Sequence, residues 1–222
     1  MRSANLREID NSYTIDMVTR RLDSLGTSSY KTRKSYMRKF FAVQMAAVGA
    51  AAVVLTGCQT TNSIPYKAST TNIISIQQSL QAQGKKVAVA GVSMAPGLEE
   101  SPLCRLNGPI KVAPGKTPTE YIKDAFIEEL FAAGAYDPKS PNAISGRIEA
   151  LSFSSVSPAN WIISMSVKSP NSAGYSVSTK YAFDTSWTAD AACRNVADAF
   201  GPAVQDLLKQ VVTNPQFPTL AK

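Results

Sequence analysis

Residues 161–187 have the sequence WIISMSVKSPNSAGYSVSTKYAFDTSW, and this stretch decides the fold. Apolar residues occupy alternate positions from Trp161 to Val167, and mostly apolar residues do so again from Tyr175 onward. A period of two is typical of a β-strand with one buried face. The segment Pro-Asn-Ser-Ala-Gly at 170–174 has the composition of a turn. The stretch therefore predicts a long antiparallel hairpin that buries one face.

Two more strands are predicted upstream of the hairpin. Residues 87–92 form a short apolar, β-branched run, which is typical of a buried strand. Residues 144–150 alternate between apolar or small and polar residues, and Leu151 then shifts the phase. A phase shift inside a strand indicates a β-bulge.

A helix is predicted between these two strands. Thr117 is placed as its N-cap, Pro118 takes the first helical position and Glu120 completes a capping box. Gly134 ends the helix as a C-cap. The residues of its apolar face repeat every four positions and are Ile122, Phe126 and Leu130. Glu128 and Glu129 do not share a helix face, so we interpret them as a solvated edge and not as a catalytic pair.

A second helical pattern runs from Ala189 to about Thr213, and Gly201-Pro202 predicts a kink or two abutting helices. The element order is therefore β-α-β-β-β-α. It predicts an α+β fold in which two helices cover one face of a four-stranded, mostly antiparallel sheet. The aromatic residues on the buried phase, Trp187 included, are expected to pack in the core. A platform that stacks on sugars or contacts lipid is the alternative.

Composition excludes several classes of function. The chain has no histidine, which removes Ser-His-Asp and Cys-His nucleophiles and the commonest transition-metal ligand. The formal net charge is +7, but residues 58–222 hold fourteen Lys/Arg against twelve Asp/Glu, so most of the basicity lies in residues 1–57. We therefore predict no nucleic-acid partner, no catalytic residue, no metal site and no cofactor.

The N-terminal region has the pattern of a targeting segment. Arg38 and Lys39 precede a run of sixteen mostly apolar residues, which is short for a membrane span and typical of a signal peptide. The sequence Leu55-Thr56-Gly57-Cys58 follows and resembles the lipobox of bacterial lipoproteins. This resemblance implies cleavage before Cys58 and attachment of lipid to its thiol. A transmembrane anchor with an incidental cysteine is the alternative.

Five regions follow from these patterns. Residues 1–36 are either an upstream start-site extension or a disordered segment that is removed with the signal peptide. Residues 58–84 are predicted to be a flexible tether, in which Ile73, Ile76 and Leu80 could form one apolar helical stripe. The regions are 1–36 (extension), 37–57 (lipoprotein signal peptide), 58–84 (flexible tether), 85–213 (globular domain) and 214–222 (tail).

Three cysteines are present, and lipidation of Cys58 would leave the pair Cys104 and Cys193. An even number of thiols in an oxidising compartment favours a disulfide between them. Two unpaired thiols are the alternative. Zinc binding is disfavoured because neither a Cys-x-x-Cys motif nor a histidine is available.

In layout, the chain resembles the small lipoproteins of the YajG type. The shared features are the lipobox at 55–58, the helix exit Ala-Gly-Ala-Tyr at 133–136, the strand pairs and the closing helix. The architecture is more distantly similar to the auxiliary lipoproteins of lipid-handling ABC transporters, which implies a role in contact with other proteins. Neither resemblance supplies catalytic residues.

The expected function is that of a non-enzymatic lipoprotein, held in the membrane by Cys58 and contributing to an envelope assembly or transport complex through an envelope protein partner. Gln59 follows the cysteine, and in enterobacterial envelopes Asp at this position retains a lipoprotein in the inner membrane. The periplasmic side of the outer membrane is therefore the expected location. The alternative is a lipid- or glycan-binding module that uses the open face of the sheet.

Overall fold

The computed structural model describes residues 60–62 and 64–222, so the predicted extension, signal peptide and Cys58 lie outside the described residues. The elements are β1 (Thr60–Thr61), α1 (Thr70–Ser79), β2 (Ala88–Met94), β3 (Ile110–Lys111), α2 (Pro118–Ala132), β4 (Ala143–Ser154), β5 (Asn160–Ser169), β6 (Ser172–Ala182), α3 (Ala189–Asp198) and α4 (Phe200–Val212). Short 3-10 helices lie at Gln81–Gln83 and Phe217–Ala221. No helix in this part of the chain has the length and apolar content needed to cross a bilayer.

The main sheet has the strand order β2-β4-β5-β6. β2 pairs with β4 in parallel, and the other two pairs are antiparallel. The predicted α+β class with a four-stranded, mostly antiparallel sheet is therefore confirmed. The expected bulge is present as a register shift between Ile148 and Ala150.

The hairpin of β5 and β6 has a tighter turn than predicted, because Ser169 already pairs with Ser172. Gly174 lies inside β6 with a φ of +78°, a conformation that only glycine adopts easily. A Cβ at this position would lie 1.7 Å from the backbone oxygen of Val167. Glycine is therefore required here by both the backbone angle and the neighbouring strand.

The core lies between one face of the sheet and the helices. Trp161 is fully buried, and its Nε1 donates to the backbone oxygen of Val196 at 2.8 Å. Its ring contacts those of Phe153 and Phe200 edge to face. Trp187 departs from the prediction because its side chain is 99% exposed. β6 ends at Ala182, so the alternation that continues in the sequence beyond it no longer corresponds to a sheet face.

The helix predicted between the first two strands is confirmed as α2, including its capping box at Thr117 and Glu120. The second helical pattern divides into the abutting helices α3 and α4, as Gly201-Pro202 indicated. Pro202 lies in the first turn of α4, where a missing backbone N–H costs little. A Cβ on Gly201 would lie 3.0 Å from the hydroxyl of Tyr121, so the small residue permits close packing of α4 on α2.

The segment predicted as a flexible tether, 58–84, is largely part of the folded body. β1 pairs in parallel with β3, and α1 packs against α4 and α2. Ile76 and Leu80 are fully buried in the main core. The apolar stripe noted in the sequence is therefore a packing face. The free energy gained by burying Ile76 and Leu80 outweighs the entropy lost when this polar segment becomes ordered.

The segment 214–222 is likewise packed and not a loose tail. Phe217 and Leu220 of the last 3-10 helix are fully buried. Near the C-terminus, Asn171 Nδ2 donates to the backbone oxygen of Lys222 at 2.8 Å. Pro215 and Pro218 favour an irregular tail. The short 3-10 helix is nevertheless enough to place the side chains of Phe217 and Leu220 in the core.

Candidate contact surfaces and the disulfide

Cys104 and Cys193 form a disulfide, as predicted, with an S–S distance of 2.06 Å and a Cα–Cα distance of 5.8 Å. Cys104 lies in the long loop between β2 and α2, and Cys193 lies in α3. Both residues are fully buried. The bridge therefore fixes the long loop between β2 and α2 to α3. Cys58, the predicted lipidation site, is outside the described residues.

Arg105 reinforces the attachment of this loop. Its Nη2 donates to the backbone oxygen of Ser155 at 2.7 Å, and its Nε donates to Oγ of the same residue at 3.2 Å. Nη2 also lies 3.3 Å from the backbone oxygen of Ser186. One guanidinium thus joins the loop to the β4–β5 turn and to the segment after β6. These contacts could not be predicted from local sequence patterns, because the partners lie 50 or more positions away.

The outward phase of the sheet is polar and remains exposed in large part. Ser93, Arg147, Ser166 and Ser176 are in register and form one row across all four strands. Arg147 and Glu149 form a surface ion pair at 3.6 Å, and Ser166 donates to Glu149 at 2.9 Å. Small hydroxyl side chains next to charged ones leave a shallow polar surface, which we call the open sheet face.

The open sheet face contains a concavity of about 500 Å³. Its lining combines hydroxyl groups with charges of both signs, and among the lining residues are Ser93, Arg147, Glu149, Ser166, Lys168 and Ser176. Such a surface can exchange hydrogen bonds and ion pairs with a polar partner. This arrangement agrees with the prediction that the hairpin buries only one of its faces.

Glu129 does not lie on a solvated edge as expected, because its side chain is fully buried while Glu128 is exposed. Its carboxylate accepts hydrogen bonds from the Tyr66 hydroxyl at 2.6 Å and from Asn72 Nδ2 at 2.9 and 3.0 Å. The backbone N–H of Ser69 is a weaker donor at 3.3 Å. These donors belong to α1 and the segment before it, so the buried carboxylate binds residues 66–72 to α2.

Burial raises the pKa of Glu129, and the donated hydrogen bonds offset part of this effect. Burial likewise raises the pKa of Tyr66, and the charge of Glu129 raises it further. Tyr66 therefore remains a protonated donor. Asn72 Nδ2 also donates to the backbone oxygen of Gln205 in α4 at 2.9 Å. The cluster thus connects α1, α2 and α4 and acts as a structural junction.

Residues 60–62 and 64–222 contain no group of three or more His, Cys, Asp or Glu side chains placed to hold a metal ion. The residues that carry polar contacts are instead distributed between a buried junction and an exposed sheet face.

A crystal structure of protein XCC0632 from Xanthomonas campestris, described as family DUF330, is similar over 72% of this chain and 95% of that chain, with 11% identity and a TM-score of 0.42. No protein-family model and no curated protein matches the sequence.

Proposed function

We propose that the chain is a non-enzymatic lipoprotein of the bacterial envelope, anchored through Cys58 to the periplasmic side of the outer membrane. It acts by contact with a protein of an envelope assembly or transport complex. The lipobox and the apolar run before it support the anchor. The YajG-type layout is consistent with this class of protein. The absence of histidine from the whole sequence supports a role without catalysis.

The observation that carries the proposal is the open sheet face. One side of the sheet is covered by helices, whereas the other presents an in-register row of Ser93, Arg147, Ser166 and Ser176. The charged groups beside the hydroxyls favour a polar protein surface as the partner. Small side chains allow that surface to approach the strands closely, and matched charges would determine its orientation.

A lipid- or glycan-binding module is the second candidate, and the concavity of about 500 Å³ on the same face favours it. Pockets of this volume accommodate small ligands. Binding of purified oligosaccharides or lipid headgroups to the protein, followed by calorimetry, distinguishes the two candidates. Saturable binding that Ser166→Arg abolishes would favour the ligand-binding module.

Crosslinking in cells tests the protein-contact proposal. Ser166→Arg and Ser176→Trp add charge or bulk to the open sheet face, and we expect both to weaken a crosslinked partner band while the fold is retained. Gln78→Trp is the matched control because Gln78 is exposed on α1, on the helical side of the domain. Crosslinking unchanged by all outward substitutions would remove this face from the proposal, and a hydrolytic activity abolished by one substitution would overturn the non-enzymatic role.

A further inference from the structure

Four large apolar side chains are exposed on loops beyond the ends of the strands. Leu103 is 70% exposed, Leu106 104%, Val156 61% and Trp187 99%. We call these four residues the apolar end cluster. Exposure of one such side chain is ordinary, but several together on one surface indicate a binding site for an apolar or interfacial partner.

The four residues lie at the same end of the domain. β4 ends at Ser154, and Val156 is in the turn that follows it. Trp187 follows β6, which ends beside the start of β5 because Asn160 pairs with Ala182. Arg105, between the two leucines of the loop, donates to the backbone oxygens of Ser155 and Trp187 at 2.7 and 3.4 Å. Hydrogen bonds thus hold the three segments together.

The chain enters the fold at this same end. Thr60 pairs with Ile110, and Asn107 Nδ2 donates to the Thr60 hydroxyl at 3.1 Å. Asn107 is the immediate neighbour of Leu106. Cys58 precedes Thr60 by two residues, and two fully extended residues span at most about 7 Å. A lipid attached at Cys58 would therefore be joined to the domain through a short connection that begins at this end.

We infer that the apolar end cluster lies in the interfacial region of the bilayer that holds the acyl chains of Cys58. This inference rests on the proposed lipid anchor. Acyl chains attached at Cys58 place the point of attachment to the membrane two residues from Thr60, which is at most about 7 Å of extended backbone. Tryptophan and leucine side chains at that surface replace contact with water by contact with the headgroup and upper acyl region. The domain is thereby held against the membrane at a defined end.

A partner protein on the cluster is a weaker assignment, because the short connection to Cys58 leaves little room between this end and the bilayer.

The opposite end of the domain provides a comparison. Phe131 is 73% exposed at the end of α2, close to Ala135, whose backbone oxygen accepts from Val87 just before β2. Phe131 is therefore at the end of the sheet remote from the bilayer in this orientation.

The test uses the chain beginning at Cys58, which corresponds to the separate compact unit of residues 57–222. The disulfide occupies Cys104 and Cys193, so a maleimide-bearing phospholipid can be coupled to the thiol of Cys58. This chemical anchor makes the experiment independent of lipidation in the cell. Failure of the inference is thus distinguishable from failure of the proposed lipoprotein.

Tryptophan fluorescence provides the readout in vesicles of phosphatidylethanolamine and phosphatidylglycerol that contain brominated acyl chains. The sequence has two tryptophans, of which Trp161 is fully buried and serves as the internal reference. We expect the emission of Trp187 to shift to shorter wavelength and to be quenched by bromine. Trp187→Phe isolates the emission of Trp161, which we expect to remain unquenched.

The variant with Leu103→Gln and Leu106→Gln should lose quenching of Trp187, whereas Phe131→Gln should retain it. Emission typical of water at Trp187, with the coupled protein bound to the vesicles, would overturn the inference. So would quenching that both variants retain. A shift to shorter wavelength that depends on protein concentration without vesicles, with dimers in sedimentation, would assign the cluster to self-association and also overturn it.

Discussion

The Tyr66 hydroxyl donates to the carboxylate of Glu129 at 2.6 Å, across 63 positions of the sequence. This contact, together with those of Asn72, binds the N-terminal segment to the body of the domain. Glu129→Ala should lower the free energy of unfolding by about 1–3 kcal/mol for each buried donor left without a partner. Glu128→Ala, at the exposed neighbour, should change it by about 0.5 kcal/mol or less. Urea unfolding of the two variants measures the difference, and equal effects would contradict the structural role of Glu129.

The raised pKa of Glu129 gives this residue a predictable effect on the pH dependence of stability. Because the folded state holds the proton more tightly, the free energy of unfolding falls as the pH rises from the ordinary value of 4.5 through the folded pKa. Glu129→Gln removes this contribution. The difference in unfolding free energy between wild type and variant should therefore change over this pH window and be constant above it.

Glu120 acts in the opposite sense because its hydrogen bond from the Thr117 backbone N–H lowers its pKa. Its contribution is present above the ordinary pKa and is lost at lower pH. The wild type and the Glu129→Gln variant both contain Glu120, so its effect cancels in the difference between their free energies of unfolding. A pH-independent difference across the window from 4.5 upward would contradict the raised pKa of Glu129.

The sheet could be predicted from the sequence because alternating side chains report directly which strand face is buried. The pairing of Cys104 with Cys193 followed from a count of thiols. The position of Glu129 could not be predicted, because its donors lie in a different segment and only tertiary packing brings them together. The exposure of Trp187 has a similar cause: periodicity continues in the sequence after the strand has ended.

Removal of the disulfide should destabilise the domain. Cys104 and Cys193 are 89 positions apart, and the chain-entropy model assigns such a closed loop about 4.6 kcal/mol. The double variant Cys104→Ala, Cys193→Ala should lose roughly this much unfolding free energy, while Cys58→Ala should lose very little. Peptide mapping without reductant should recover the two cysteines joined, and full alkylation of both would contradict the pairing.

Cys58 should be acylated when the full chain is produced in a bacterium that processes lipoproteins. Mass spectrometry of the membrane fraction should find an N-terminal Cys58 peptide that carries lipid. Cys58→Ala is the control and should abolish this species. Peptides spanning residues 50–65 as the dominant form of the protein would show that the predicted cleavage does not occur.

Two neighbouring residues of β5 should differ strongly in their effect on stability. Ile163 is fully buried, so Ile163→Ala should cost about 2–5 kcal/mol through loss of packing. Ser164 faces the open sheet face, where its hydroxyl bonds to that of Ser178 at 2.9 Å. Ser164→Ala should cost about 1 kcal/mol or less. Similar losses in thermal or denaturant unfolding would contradict the assignment of the two strand faces.

The N-terminal segment also has a mechanical consequence. With Cys58 held in a bilayer as proposed, tension from a bound partner would load the two-residue pairing of β1 with β3 first and the Glu129 junction afterwards. Release of residues 60–65, with the Tyr66–Glu129 contact intact, would add up to about 20 Å of extended chain. The connection to the membrane would then lengthen in two steps, with the second step requiring a buried carboxylate to lose its partners.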